Sequence, residues 1–400
     1  MIAGLVLLGA ACGASAGPPN VLLVSIDTLR ADRLGCYGYA RATSPALDRL
    51  ATERAVRFAH ATAEAPWTLP SHVTLLSGLH PLTHGVRKPD QAPNDSVQLL
   101  AERLQPTHET FALTDGGWLS QTFGFARGFR SFQAQDRDVD QAVQVLLEYV
   151  RFQRGKGPWF GFLHTYDVHC PYDPPPPYRE TFASADAEPI ETAGRCGNPH
   201  FNALALTAGQ ARFLSDRYDE DVRRVDDALA TLFAAFDELD LWKDTVLVVT
   251  SDHGEEFLEH GQIGHERTLS PEVLAVPLFV AAPGLAPRVV DHIVGLADVV
   301  PTVLELVGSA PAGLDGRSLL PLMRGQPDPD RRDWVLSELA WQVERLVRTA
   351  PEGRAEMEPM SSVLDAHGIL KLRAEMLAKG YKPRVIDSSS ERASLDALGY

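Results

Sequence analysis

Three short segments carry the residues whose types and spacing could do chemistry. Asp27 ends the apolar run 20–26, Thr68 precedes an apolar run that begins near Pro70, and Asp252 and His253 stand together in the loop 250–255. Two carboxylates and one imidazole are typical ligands of a single divalent cation, and such a set favours manganese, iron or zinc over calcium. A hydroxyl beside that cation is a candidate nucleophile. Taken singly, Asp27 or Asp252 could equally cap a turn.

The segment 65–78, with the sequence APWTLPSHVTLLSG, begins like a helix. A proline near the first helical position and a hydroxyl residue at the cap are both helix-start signals. Thr68 is therefore expected at the positive end of a helix dipole, where backbone N–H groups favour a bound anion.

Strand and helix patterns alternate along the chain and must position these residues. Continuous apolar runs at 20–26, 159–163, 245–250 and 276–281 predict strands buried on both faces, and helical periodicity covers 44–52, 139–154 and 207–239. Such alternation predicts an α/β fold with a mostly parallel central sheet covered on both faces. Active sites in these folds form beyond the carboxyl ends of the strands, where Asp27 and Asp252 would both lie.

The strand end 21–27, the Thr68 segment and the loop 250–255 together resemble the sulfatase branch of the alkaline phosphatase superfamily. The resemblance runs from residue 19 to about residue 323 and is weaker beyond. It implies a three-layer α/β/α sandwich, with a catalytic domain at 19–325 and a reduced C-terminal subdomain at 326–400. It also implies one divalent metal (Mn, Ca, Zn or Fe) held by Asp27, Thr68, Asp252 and His253.

Three departures from the family pattern affect the predicted reaction. Thr68 stands where sulfatases have Cys or Ser, His72 where they have Arg, and Thr28 where they have a second Asp. Sulfatases convert that Cys or Ser to formylglycine, which a threonine cannot become, so the Thr68 hydroxyl would attack directly. The resulting set resembles single-metal phosphonate monoester hydrolases and phosphoethanolamine or phosphoglycerol transferases.

Direct attack favours phosphorus, because a phosphothreonine can be hydrolysed by a second displacement whereas a sulfothreonine has no comparable exit. The predicted function is hydrolysis or transfer of a phosphodiester, phosphonate or phosphomonoester. Two alternatives stay open: a sulfatase acting without formylglycine, and an inactive sulfatase-like binding protein.

Histidines complete the predicted site. His72 lies four residues after Thr68, on the same helix face, and could hydrogen-bond the hydroxyl or a group around the metal. By resemblance, His169 and His265 contact the anion, and His169 is also a candidate acid for the leaving group. His164 is interpreted as a core residue, and Glu255, Glu256 and His260 as loop structure.

Composition and the termini limit the partners. The 400 residues carry a net charge of −16, which argues against nucleic acid and leaves a small-molecule, lipid or saccharide ester as the expected substrate. The apolar segment 1–18, with Ala14-Ser-Ala16 and Cys12, predicts a signal or lipoprotein segment and a periplasmic or envelope location. Cys170 and Cys196 could pair and leave Cys36 free, or all three could be free thiols.

Overall fold

The computed structural model describes residues 17–190, 206–327, 334–339, 381–387, 389–391 and 395, and the backbone of the strands at 345–349 and 355–357. The predicted signal segment with Cys12, and Cys196, lie outside these residues. The strands are β1 Asn20–Ile26, β2 Val56–Thr62, β3 Gln91–Ala92, β4 Glu109–Thr114, β5 Ser131–Ala134, β6 Trp159–Thr165, β7 Thr245–Thr250, β8 Glu256–Phe257, β9 Ile263–Gly264, β10 Ala275–Ala281, β11 Arg288–Gly295, β12 Val335–Leu339, β13 Arg345–Thr349, β14 Ala355–Met357 and β15 Arg384–Val385. The α-helices are α1 Pro45–Glu53, α2 Thr68–Ser77, α3 Pro81–His84, α4 Leu100–Leu104, α5 Val139–Gln153, α6 Ala208–Glu238, α7 Pro271–Leu274, α8 Val299–Leu306 and α9 Leu320–Met323.

Eight strands form the central sheet, in the order β11-β2-β10-β7-β1-β6-β4-β5. Strand β10 runs antiparallel to its neighbours β2 and β7, and the other neighbouring pairs are parallel. Strand β1 lies between β6 and β7, so the ends of these three strands meet at one edge of the sheet. That edge is where the predicted metal ligands lie.

Helices cover both faces of the sheet, because alternate side chains of a buried strand enter different cores. Val21 and Leu23 pack into a core with helices α2, α4 and α8. Leu22 and Val24 pack into a second core with helices α1, α5 and α6. The fold is therefore the predicted three-layer α/β/α sandwich with a mostly parallel sheet.

The strands and helices predicted from the sequence begin and end within two residues of the observed bounds, but several other strands were not predicted. Strands β1 and β7 have the predicted bounds, and helices α1, α5 and α6 begin and end close to their predicted positions. Strands β2 and β4 were missed, since β2 has the sequence VRFAHAT and β4 begins with Glu109, so neither is a continuous apolar run.

A small antiparallel sheet, β12-β13-β14, lies near the C-terminus and contacts the main fold. The Ser337 hydroxyl donates to the carbonyl of Ala63 at 2.6 Å, and the amide of Glu338 donates to the carbonyl of Glu64 at 2.9 Å. These bonds attach β12 to the segment that follows β2. The domain boundary at 325 remains a prediction.

The cysteines and the proline-rich segment complete the fold. Cys170 is disulfide-bonded and Cys36 is free, while the predicted partner Cys196 lies outside the described residues. The proline-rich segment 171–190 packs on helix α6, where Asp216 accepts a hydrogen bond from the amide of Ser184 at 2.8 Å. No helix in the described parts of the chain is long and apolar enough to cross a membrane.

Candidate active site

Strand ends bring the two predicted carboxylates together. Asp27 directly follows β1, and Asp252 and His253 follow β7, which is paired in parallel with β1. All three residues have no solvent-exposed surface. One ligand atom from each lies within 4.8 Å of the others. The structure thus assembles the predicted ligand set at the expected edge of the sheet.

Thr68 is the first residue of helix α2 and faces this cluster. Its Oγ1 lies 3.3 Å from Asp27 Oδ2 and 3.3 Å from His253 Nε2. The N-cap is Trp67, one residue earlier than the sequence suggested, and its side chain makes no capping bond. The Thr68 hydroxyl is therefore turned towards the carboxylate, and it lies at the positive end of the helix dipole.

The donor atoms are suited to a divalent cation. Asp27 Oδ1 and Asp252 Oδ2 are shielded from solvent and accept no hydrogen bond among the described residues. His253 Nδ1 lies 3.0 Å from the carbonyl of Gly254, which leaves Nε2 as the unprotonated nitrogen. That nitrogen is 3.2 Å from Asp252 Oδ2, so two lone pairs face each other. A cation held by Asp27, Asp252 and His253, with Thr68 beside it, would satisfy all of these atoms.

The two carboxylates differ in their electrostatic surroundings. Burial, together with the charges of Asp252 and Glu255, raises the pKa of Asp27 well above its ordinary value. Burial also opposes the ionisation of Asp252, but His253 and His72 outweigh it and lower the pKa of Asp252. The pKa shifts of the two carboxylates are therefore opposite in direction.

His72 contacts the backbone of Thr68 and one carboxylate of the cluster. Its Nδ1 is 3.0 Å from the carbonyl oxygen of Thr68 and 3.3 Å from Asp252 Oδ2, and its Nε2 is 2.9 Å from Ser25 Oγ. Of the two interactions expected for His72, the structure shows the one with a group around the candidate metal site, namely Asp252. The i+4 spacing also brings the ring back to the carbonyl oxygen of Thr68. His72 is a positioning residue for Asp252.

His164, interpreted from the sequence as core, belongs to the cluster. It is fully buried, and its Nε2 lies 3.2 Å from Asp27 Oδ2. Its backbone pairs with Ser25 on strand β1, two residues before Asp27. The available signal was its place near the carboxyl end of a strand, which is where functional residues of such sheets lie.

His169 and His265 lie on the other side of His253. The ring of His265 is 4.4 Å from that of His253 and 5.2 Å from that of His169, centroid to centroid. Glu255, predicted to be loop structure, binds His265 Nδ1 at 2.9 Å and accepts the Tyr172 hydroxyl at 2.7 Å. Glu255 therefore orients the ring of His265.

These imidazoles are uncharged at neutral pH in the substrate-free protein. Burial lowers the pKa of His169, His253 and His265 to about 4 in each case. A bound anion close to them would raise those pKa values, because an opposite charge favours the protonated form. His169 and His265 can thus act as neutral groups first and as proton donors once an anion is present, whereas His253 is a candidate metal ligand.

Comparison with known proteins identifies the family. The sequence matches the model of the Sulfatase family over residues 19–309. It is 31% identical over 222 residues to the multifunctional alkaline phosphatase superfamily protein PehA of Trinickia caryophylli, covering 47% of this chain and 41% of that protein. It is 25% identical to the Delta 4,5-hexuronate-2-O-sulfatase of Bacteroides thetaiotaomicron, covering 87% of this chain and 80% of that protein. The chain thus spans less than half the length of PehA and most of the length of the sulfatase.

Solved structures agree on the fold. The phosphonate monoester hydrolase SpPMH from Silicibacter pomeroyi aligns with a TM-score of 0.70 and 20% identity, covering 90% of this chain and 94% of that one. The 2-O glycosaminoglycan sulfatase BT1596 aligns with a TM-score of 0.68 and 20% identity, covering 90% and 91%. Both are hydrolases, and enzymes of this family use a divalent metal. The chain belongs to the sulfatase family of the alkaline phosphatase superfamily.

Proposed function

We propose that this sulfatase-family hydrolase acts on phosphorus esters, namely phosphodiesters, phosphonate monoesters or phosphomonoesters, with Thr68 as its nucleophile. The observation that carries the proposal is the Thr68 hydroxyl, held 3.3 Å from Asp27 Oδ2 at the start of α2 and inside the candidate metal cluster. A threonine cannot become formylglycine, so the hydroxyl itself must attack.

Each proton in the proposed reaction has a nearby carrier. The Thr68 hydroxyl attacks phosphorus and passes its proton to Asp27 Oδ2, which lies 3.3 Å from Thr68 Oγ1. The P–O bond to the alcohol breaks, and the leaving oxygen takes a proton from His169 or His265. Water then attacks the phosphothreonine and gives a proton to the histidine that protonated the leaving group, the Thr68 oxygen leaves and takes back the proton held by Asp27, and phosphate, a phosphate monoester or a phosphonate departs. A divalent metal held by Asp27, Asp252 and His253 would lower the pKa of the attacking hydroxyl and neutralise charge on the anion.

Histidines and the helix terminus support anion binding. The ring of His265 contacts that of His253, whose Nε2 lies 3.3 Å from the Thr68 hydroxyl, and the ring of His169 contacts that of His265. Thr68 itself lies at the positive end of the α2 dipole. PehA is named for several activities within the superfamily, and SpPMH is a phosphonate monoester hydrolase, which supports a phosphorus ester as substrate. The organic group of the substrate is expected to belong to a small molecule, a lipid or a saccharide.

We also propose that the protein is exported to the periplasm or the cell envelope, as the apolar segment 1–18 predicts.

A set of para-nitrophenyl esters tests the reaction class. Wild-type protein is assayed with Mn²⁺, Zn²⁺, Fe²⁺ or Ca²⁺ on a phosphodiester, a phosphonate monoester, a phosphomonoester and a sulfate that share the same leaving group. We expect a phosphorus ester to be the best substrate. A sulfate cleaved faster than every phosphorus ester would contradict the proposal and favour a sulfatase that acts without formylglycine.

Variants of Thr68 test the nucleophile. Thr68→Ala should lower turnover by about 10³-fold or more, as the loss of a nucleophile does in other hydrolases, whereas Thr68→Ser should keep part of the activity. Thr74→Ala is the matched control, because Thr74 is another buried threonine of α2 whose hydroxyl lies 3.1 Å from His84 Nε2. Mass spectrometry of quenched wild-type protein should find a phosphoryl group on the peptide with Thr68. Wild-type rates in Thr68→Ala would exclude this role.

A further inference from the structure

A second group of metal-ligating side chains lies on the short hairpin β8–β9 and on helix α7. Glu256 begins β8, His260 lies in the turn, and Glu272 is the second residue of α7. One ligand atom of each lies within 4.8 Å of the others. His260 Nε2 is 2.9 Å from Glu272 Oε2. We call these three residues the hairpin cluster.

The burial of Glu256 separates this cluster from an ordinary surface pair. Glu256 is only 1% exposed, its Oε2 accepts the Thr268 hydroxyl at 2.7 Å, and its Oε1 is shielded from solvent without a hydrogen-bond partner. Within the described parts of the chain, Glu256 forms no ion pair with a lysine or arginine. A buried carboxylate is costly unless a cation compensates it, and the nearby negative charge of Glu272 adds to that cost.

The hairpin cluster is distinct from the candidate active site. Glu255 precedes strand β8 and Glu256 begins it, and the two side chains have different partners. Glu255 binds His265 and Tyr172, whereas Glu256 accepts the Thr268 hydroxyl. The cluster shares no ligand with Asp27, Asp252 and His253.

We propose that the hairpin cluster binds a second divalent transition-metal ion, of the zinc class, through Glu256, His260 and Glu272. Two carboxylates with one imidazole suit Zn²⁺ or a neighbouring first-row metal, and Zn²⁺ binds such a set more tightly than Mn²⁺ or Fe²⁺. The side chains of His260 and Glu272 are 50% and 20% exposed, so water completes the coordination. The Thr268 hydroxyl holds the carboxylate of Glu256 in place.

An ion at this position fixes the segment that carries His265. It joins the base of the hairpin, at Glu256, and its turn, at His260, to helix α7, at Glu272. Glu256 pairs with Gly264 across the hairpin, and His265 is the next residue. The hairpin ion therefore has a positioning role for the active site, and it takes no part in the reaction itself.

Zinc binding to the full-length chain tests the site. Wild-type protein is stripped with a chelator and titrated with Zn²⁺ by calorimetry, and bound metal is counted by elemental analysis. We expect two ions per chain. His260→Asn should lose one of them, with at least about a 100-fold loss of affinity at that site, because loss of a ligand exceeds the effect of removing an outer hydrogen bond. Glu256→Gln should do the same.

Two further variants make the outcome decisive. His60→Asn is the matched control, since His60 Nε2 lies 2.9 Å from Asp291 Oδ1, the same distance as in the hairpin pair, but His60 belongs to no three-ligand group among the described residues. It should bind two ions. The double variant Asp27→Asn, Asp252→Asn should keep the hairpin ion and lose the other. His260 is half exposed, so its replacement tests the site even if Glu256→Gln does not fold.

Different experimental outcomes contradict the hairpin site and the proposed function, on which the hairpin site does not depend. Unchanged zinc stoichiometry and affinity in His260→Asn would overturn the hairpin site, as would a single wild-type ion that disappears in the double variant. A single wild-type ion that disappears in His260→Asn would support the hairpin site and contradict the metal cluster at Asp27. Zinc should also raise the thermal unfolding midpoint of the double variant. It should not raise the midpoint of the triple variant that carries His260→Asn as well.

Discussion

Two clusters of buried charge in this molecule are neutralised in different ways. In the arginine cluster, Arg41 contacts Asp216 and Asp219 at 2.7 Å each, and Arg33 contacts Asp219 at 3.1 Å. In the candidate active site, the ion-pair partners of Asp27 and Asp252 among the described residues are histidines. The chain supplies its own cations to the first cluster, whereas the second needs a cation from outside the chain.

Unpaired carboxylate oxygens, and not burial alone, distinguish the candidate active site from the arginine cluster. Asp219 has no exposed surface, yet both of its oxygens have partners, including the Tyr39 hydroxyl at 2.5 Å. Asp27 and Asp252 are equally buried, and each keeps one oxygen without a hydrogen bond. Buried carboxylates of the first kind hold structure together, and those of the second kind are available for a ligand.

The largest expected difference concerns Asp27→Asn. With metal present, turnover on the best phosphorus ester should fall by about 10³-fold, because transition-state stabilisation of several kcal/mol is lost. In chelator, the same variant should be more stable than wild type, with a free energy of unfolding about 1 kcal/mol higher, since a buried carboxylate that faces Asp252 has been neutralised. Steady-state rates and urea denaturation measure the two effects. A variant that retains activity, or that is less stable in chelator, would break the distinction between the clusters.

Asp219→Asn should show the opposite pattern. The free energy of unfolding should fall by about 3 kcal/mol, because the guanidinium groups of Arg33 and Arg41 lose their shared carboxylate, while turnover per folded molecule stays close to that of wild type. Asp237→Asn is the control, since Asp237 pairs with Arg54 at 3.1 Å on the exposed surface and should change stability by less than about 1 kcal/mol. If the two variants are equally stable, the arginine cluster does not contribute as argued.

The smallest expected effect is a change in the pH dependence of stability in chelator. His265 has a folded pKa of about 4 against an ordinary value of 6.5, so its imidazole takes up a proton on unfolding between these two pH values. Its contribution to stability is present above pH 6.5 and is lost as the pH falls towards 4. His265→Asn should therefore reduce the slope of unfolding free energy against pH by about 1 kcal/mol per unit in this range.

Urea denaturation at several pH values measures that slope. Asp27 changes the slope of unfolding free energy against pH in the opposite direction, because its pKa is raised in the folded state. The difference in slope between His265→Asn and wild type is therefore the quantity to measure. An unchanged slope in His265→Asn would show that burial does not hold this imidazole neutral.

The sequence by itself predicted the sheet, its position in the chain and the approximate place of the site. Apolar runs such as 20–26 and 245–250 can only be buried strands, and in a parallel sheet their carboxyl ends must meet, which brings Asp27 close to Asp252. Proline and the hydroxyl residues near position 68 indicated a helix start for equally local reasons. These features depend on periodicity and on backbone propensity, which are visible in a single chain.

Tertiary structure decided which side chains face one another. His72 contacts the carbonyl of Thr68 and the carboxylate of Asp252, and His164 joins Asp27 because β6 lies beside β1 in a particular register. The pairing of Glu256 with His260 and Glu272 likewise depends on how the hairpin packs on α7. Side-chain direction and the register between distant segments arise from packing in three dimensions, and spacing along the sequence does not encode either one.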